Sequence, residues 1–148
     1  MKIKFKHRAD NYFWVTALLI FIVGTLYCLI SNTTTLNINV HDTYFVIDYF
    51  HFTVLFTLLY FFLGAIYWIL YTLRLNISAK LTKLHAKATT GIVFIYLVAT
   101  PILNIIYKDS SFNDSAEILP LLLFVIFILV QPLLLINIIV GLVRGKEN

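Results

Sequence analysis

Four long apolar stretches constrain this chain more than any other feature of its sequence. They cover about residues 13–30, 44–73, 88–107 and 118–143, and each is long enough for an α-helix of ~20 residues to cross a ~30 Å hydrocarbon core. Backbone groups in lipid must be satisfied internally, and barrel strands would be shorter, alternating segments of ~10 residues. The sequence therefore predicts a single all-α domain over residues 1–148, an integral membrane four-helix bundle.

The composition excludes a water-soluble protein. Of the 148 residues, 61% are hydrophobic and 12% charged, with a mean hydropathy of +0.92, whereas soluble domains carry roughly 25% charged residues. A globule of this size could not bury so much apolar surface, which excludes a soluble enzyme, a nucleic-acid-binding domain and a disordered segment. The lone cysteine, Cys28, leaves no intrachain disulfide and no Cys-x-x-Cys metal site.

The basic residues predict the orientation in the bilayer. The N-terminal arm, the loop after the second stretch and the tail hold all the Lys and Arg except Lys108, which predicts that both termini are cytoplasmic. The loops at 31–45 and 109–117 are then expected on the outer side of the membrane. The membrane itself is expected to be a bacterial inner membrane. The basic residues on the predicted cytoplasmic side are Lys2, Lys4, Lys6, Arg8, Arg74, Lys80, Lys83, Lys87, Arg144 and Lys146.

Two residues interrupt the fourth apolar stretch. Pro132 lies in its middle and is expected to kink the helix, because proline cannot donate the backbone hydrogen bond there. Gln131, directly before it, is interpreted as a residue that forms a hydrogen bond between helices.

A polar segment joins the first outer loop to the second stretch. His41 and Asp42 fall at the predicted outer interface, and Tyr44, Asp48 and His51 follow the i, i+4, i+7 spacing of one helical face. An ionisable side chain at the membrane centre costs at least ~2.5 kcal/mol. This face is therefore predicted to point into the bundle, toward a partner, a metal, a cofactor or a water pocket.

Residues 41–51 resemble a motif of subunit I of the haem-copper oxidases, the large subunit of cytochrome c oxidase. That family has His-Asp-Thr-Tyr-aromatic-Val-x-x-His-aromatic-His at the outer end of its tenth helix. This chain has His-Asp-Thr-Tyr-Phe-Val at 41–46 and Phe-His at 50–51. The likeness extends over about residues 21–100, and implies a truncated, degenerate relative that corresponds to the last four helices of the family.

The resemblance also implies roles for single residues. It makes His41 and Asp42 candidate Mg²⁺ ligands and His51 a candidate ligand of the low-spin haem. At the position of the family's high-spin haem ligand this chain has Tyr49. The copper-binding histidines of the family's first eight helices have no counterpart, so the ligand count excludes an autonomous oxidase, and the chain is expected not to be an enzyme.

The candidate haem ligand has a simpler interpretation. A low-spin haem needs two axial ligands, and since no other histidine is expected at the depth of His51, a second copy of the chain would have to supply one. The alternative is a structural pair between His51 and Asp48, three residues apart on a helix. Asp48 is also a candidate proton-relay group, and Tyr49 is either a haem ligand or an interfacial anchor.

The motif supplies only some of the ligands that a Mg²⁺ ion needs. His41 and Asp42 supply two ligands, whereas Mg²⁺ prefers near-octahedral oxygen coordination. The alternative is that Asp42 or Thr43 caps the second helix. A further carboxylate could come from the other outer loop, which holds Asp109, Asp114 and Glu117.

Three functions agree with these expectations. The first is a non-catalytic accessory or assembly subunit that contacts a respiratory oxidase or other membrane subunits. The second is a small, dimeric haem-binding electron carrier that uses His51. The third is a proton or small-solute pathway that uses Asp48 and His51.

Overall fold

The computed structural model describes residues 8–30, 35–40, 43–106 and 114–146. Within these ranges the chain forms five helices and one antiparallel hairpin. The helices are α1 (Ala9–Ile30), α2 (Tyr49–Thr72), α3 (Ala79–Ile106), α4 (Asp114–Val130) and α5 (Pro132–Arg144), and the strands are β1 (Thr35–Val40) and β2 (Thr43–Asp48).

Three apolar helical stretches in the described part of the chain are long enough to cross a membrane. They are α1, α2 and Leu122–Arg144, which runs through α4 and α5, and their mean hydropathies are 2.4, 2.1 and 2.8. At most 33% of any of these stretches is buried inside the folded chain. The rest of their apolar surface therefore faces outward, as expected of helices surrounded by lipid. The third predicted stretch, 88–107, begins inside α3 and ends one residue beyond it.

The fourth predicted stretch is interrupted at the expected place. The backbone N–H of Gln131 donates to the carbonyl of Ile128 at 3.1 Å, and α5 then begins at Pro132. Because proline has no N–H to donate, its placement at the first position of a new helix leaves no helical hydrogen bond missing. The interruption predicted at Pro132 is confirmed.

The hairpin replaces the beginning of the predicted second helix. Thr43 pairs with Val40, and Asp48 pairs with Thr35 at the other end of the ladder. Residues 43–47 are rich in β-branched and aromatic side chains, which favour strands. The prediction of a helix over residues 44–48 is therefore wrong, and α2 begins at Tyr49.

The core lies where α1 and α2 pack side by side along their length, with α3 against α1. Phe13 of α1 is fully buried and its ring stacks on that of Tyr67 of α2, with centroids 5.5 Å apart and planes 9° from parallel. At the other end of the same contact, Gly24 of α1 faces Thr53 of α2. A Cβ built on Gly24 would lie 2.4 Å from both branch atoms of the Thr53 side chain. The absence of a side chain at residue 24 thus allows the two helices to approach closely.

We expect Gly24→Ala to lower the stability of the protein. The new methyl would overlap a buried, β-branched side chain that cannot easily turn away, and overpacking of this kind typically costs ~1–3 kcal/mol. The measurement is the thermal unfolding midpoint of the purified protein in detergent.

Gly91→Ala is the matched control, because a Cβ at Gly91 meets no atom within 4 Å. Alanine is the better helix former, so this variant should unfold at the wild-type temperature or slightly above it. Equal midpoints for the two variants would contradict a close contact at Gly24.

Candidate functional site

The candidate site residues of α2 lie at its first turn and are open to the surroundings. The Asp48 carboxylate caps the helix, since it accepts the backbone N–H of Phe50 at 2.7 Å. The His51 Nδ1 is 3.9 Å from the Asp48 Oδ1, which is an ion-pair distance but too long for a hydrogen bond. The two side chains are 82% and 46% exposed, respectively. The pair stands at the end of a helix, on the outside of the folded chain.

Tyr49 lies differently from its two neighbours. It is half-buried, and its ring meets the edge of Tyr27 of α1 with centroids 5.3 Å apart and planes at 71°. Such an edge-to-face pair is a stabilising aromatic contact. Tyr49 therefore belongs to the α1–α2 contact, and the expected single polar face does not form, because Tyr44 lies on β2.

The predicted Mg²⁺ ligands His41 and Asp42 lie outside the described residues, as does Asp109. Asp114 and Glu117 belong to α4. Among the residues that the structure does describe, no group of three or more His, Cys, Asp or Glu could hold a metal ion. The metal site remains a prediction.

A second polar group of residues lies inside the bundle, where three helical segments meet, and we call it the His85 chain. The Tyr67 hydroxyl of α2 is 3.1 Å from the Nδ1 of His85 in α3. The His85 Nε2 is 3.3 Å from the Oε1 of Gln131, between α4 and α5. The Gln131 amide in turn donates to the carbonyl of Phe127 at 3.0 Å.

The hydrogen bonds of the His85 chain show which nitrogen of the His85 imidazole carries the hydrogen. The Gln131 nitrogen donates to a carbonyl, so its oxygen is the atom that faces His85, and the His85 Nε2 must donate to it. The Nδ1 is then free of hydrogen and accepts from the Tyr67 hydroxyl. His85 lies three residues before the third predicted membrane stretch, and burial lowers the pKa of its imidazole. A neutral ring with both nitrogens occupied acts as a connector between helices.

A second buried contact joins α3 to α5. Asn137 is fully buried, and its Oδ1 accepts the backbone N–H of Ser78 at 2.9 Å. Its Nδ2 donates to the Thr82 hydroxyl at 2.7 Å, and that hydroxyl donates to the Ser78 carbonyl at 2.9 Å. One amide side chain thereby accepts a hydrogen bond from a backbone N–H at the beginning of α3, where such groups have no partner within the helix.

The beginning of α1 is fixed to the end of α2 by polar contacts. Asp10 is fully buried, and the guanidinium of Arg8 forms an ion pair with it. The same guanidinium lies over the ring of Tyr71, 5.5 Å from its centroid, and the Ala9 N–H donates to the Tyr71 hydroxyl at 3.3 Å. The Arg8 guanidinium thus forms both an ion pair with the Asp10 carboxylate and a cation–π contact with the Tyr71 ring.

The sequence indicated only part of this inner cluster. Gln131 is predicted to form a hydrogen bond between helices, and its bond to His85 confirms this prediction. His85 and Asn137 have no predicted role of this kind, although a polar residue within or beside a long apolar stretch is the signal that marks such positions. Their partners are 18 to 59 residues away along the chain, and no spacing rule identifies partners at such separations.

Together these observations define a helical integral membrane protein with an exposed Asp48–His51 pair at one end of α2 and buried polar contacts around His85 and Asn137 between its helices. Comparison with protein families then places it. The chain belongs to the cytochrome c and quinol oxidase polypeptide I family, whose model matches residues 1–107. The match includes the motif at 41–51 and confirms the resemblance. No curated protein and no solved structure matches the chain significantly.

We expect Asn137→Leu to destabilise the protein by ~1–3 kcal/mol, because the partly buried Ser78 N–H would lose its acceptor and the fully buried Thr82–Asn137 hydrogen bond would be lost. The leucine side chain has the same branched arrangement of heavy atoms and is no smaller than asparagine, so it leaves no cavity, and loss of the hydrogen bonds should dominate. Chemical or thermal unfolding in detergent measures the change.

Thr72→Val is the control for this prediction. Thr72 is exposed and donates only to a carbonyl of its own helix, that of Trp68 at 2.8 Å. Removing this bond should change stability by less than ~0.5 kcal/mol. An Asn137→Leu protein as stable as Thr72→Val would contradict the role given to Asn137.

Proposed function

We propose that this chain is a non-catalytic accessory or assembly subunit that associates with a respiratory oxidase in the membrane. The observation that carries the proposal is Tyr49. At the position that holds the high-spin haem ligand in the family, this chain has a phenol ring packed against Tyr27 of its own α1. The residue serves the contact between two helices, which supports retention of the family's helix packing without its oxygen chemistry.

The placement of the two described histidines supports the same conclusion. His51 lies in the first turn of α2, whereas His85 contacts Tyr67, sixteen residues further along that helix. At 1.5 Å per residue the separation along the axis is about 24 Å. These two side chains therefore cannot share one metal or haem.

The outer surface of the helices supports association within the bilayer. Aromatic residues of α2 remain largely exposed in the single chain, among them Phe61 at 52% and Phe62 at 62%. Surfaces of this kind can face lipid or another membrane helix. Membership in an oxidase subunit family favours a partner from the same class of complex.

The proposal includes the orientation and the membrane. The cytoplasmic placement of both termini is supported by the basic residues at the beginning of α3 and the end of α5. A bacterial inner membrane fits this pattern. A reporter that is active only outside the cytoplasm, fused to the C-terminus, should be inactive, and activity would contradict the orientation.

Association is tested by capture from native membranes. An affinity-tagged chain, solubilised in mild detergent, should co-purify with oxidase subunits and with their haem absorption. His51→Ala should be captured with the same partners in the same amounts, because the proposal does not require haem on this chain. Capture of the tagged chain alone, after cross-linking in intact membranes as well, would contradict an accessory role.

A second candidate function rests on the exposure of His51. Its imidazole is 82% exposed at the outer end of α2, so a second copy of the chain could present a matching ligand to one haem. In that case the chain purified free of other subunits should show a Soret band with reduced α and β bands, and His51→Ala should abolish them.

Asp48→Asn is the matched control for the haem experiment. Asparagine keeps the helix cap but removes the charge 3.9 Å from the imidazole, so the bands should persist. A featureless spectrum from folded wild-type protein would exclude the electron carrier and leave the accessory subunit.

A further inference from the structure

A cationic cavity lies between α1 and α3 near the beginning of both helices. It measures about 210 Å³ and is lined by Lys83 and Lys87 of α3, with Ala9 and Ala86 among its other walls. This is several times the ~30 Å³ that one water occupies in the liquid. The space between the two helices is therefore large enough for a phosphate group.

The two lysines are available to a ligand. They stand four residues apart in α3, so their ammonium groups project from the same face of the helix. Both side chains are exposed, and within the described residues neither has an ion-pair partner. The carboxylate of Asp10, in the first turn of α1, is fully buried and paired with Arg8, so it does not neutralise them.

The surface beyond the cavity is apolar. On α3, Phe94 and Val98 each follow one of the lysines by eleven residues, which places them on the same side of the helix. They are 54% and 60% exposed, and Val15 of α1 is 65% exposed. A charged recess thus continues into a hydrocarbon-like surface on the same pair of helices.

We propose that this cavity binds the phosphate headgroup of an anionic phospholipid, whose acyl chains lie along α1 and α3. The positive charge complements the phosphate, and the apolar surface explains why the ligand is a lipid and not a soluble anion. Basic residues at the membrane surface attract anionic lipids in this way. The inference is independent of the oxidase partner and concerns the chain alone.

The test is a titration of the detergent-purified protein with phosphatidylglycerol, phosphatidylcholine or inorganic phosphate, read as the thermal unfolding midpoint. Phosphatidylglycerol should raise the midpoint, and the other two should not. In Lys83→Gln/Lys87→Gln, phosphatidylglycerol binding should be about 30-fold weaker, from the contribution of two lysines near a charged surface. Both lysines are exposed, so this variant should have the wild-type circular dichroism spectrum.

The matched control is Arg144→Gln/Lys146→Gln, which removes the same charge from exposed residues at the end of α5. It should keep the full response to phosphatidylglycerol. A second variant, Thr90→Phe, fills the cavity while keeping both lysines, and it should reduce the response as well.

Three results would overturn the proposal. Equal losses in the two double variants would show diffuse attraction to the basic end of the protein. An equal response to phosphatidylcholine would show that charge is not recognised. A shift with inorganic phosphate at matching concentration would show a site for a soluble anion.

Discussion

The packing of α2 and α3 against the break between α4 and α5 depends on the hydrogen bonds that His85 makes with both of its ring nitrogens. Tyr67 lies on one side of the imidazole and Gln131 on the other, so α2, α3 and the break between α4 and α5 meet at one residue. In a bilayer, packing of apolar side chains does not by itself choose among helix arrangements, because lipid is equally apolar. Buried polar groups that must find partners do make that choice, since an unpaired one is costly.

The same reasoning explains why α5 can begin where it does. A proline in the middle of an apolar helix leaves backbone groups without partners. Here the Gln131 side chain takes up the Phe127 carbonyl, and Asn137, one and a half turns later, satisfies the beginning of α3. The break in the fourth stretch and the polar contacts around it are thus parts of one arrangement. Gln131 and Asn137 lie beyond the family match at 1–107, whereas their partners His85 and Ser78 lie within it.

The two ends of the bundle differ in what they can do. At one end, the side chains of Asp48 and His51 are exposed, and the Asp48 carboxylate caps α2 at 3.9 Å from the His51 imidazole, so both side chains are accessible to a partner. At the other end, the Asp10 carboxylate and the His85 imidazole are buried and have partners. Lys83 and Lys87 are exposed there, and within the described residues they form no ion pair. The accessory role proposed above requires both a rigid bundle and surfaces that remain available in the membrane. Tyr49, by contrast, is part of the contact between α1 and α2.

Hydropathy and charge in the sequence determined the membrane class, the approximate helical stretches and the break at Pro132, because these follow from local composition and from the missing N–H of proline. The motif at 41–51 determined the family. The structure decided that residues 43–48 pair with β1, since pairing with the neighbouring strand of a hairpin outweighs the helical periodicity of these residues. Tertiary structure alone decided the partners of His85 and Asn137, because these partners lie 18 to 59 residues away in the sequence. A sequence pattern records spacing within one element but not which elements meet.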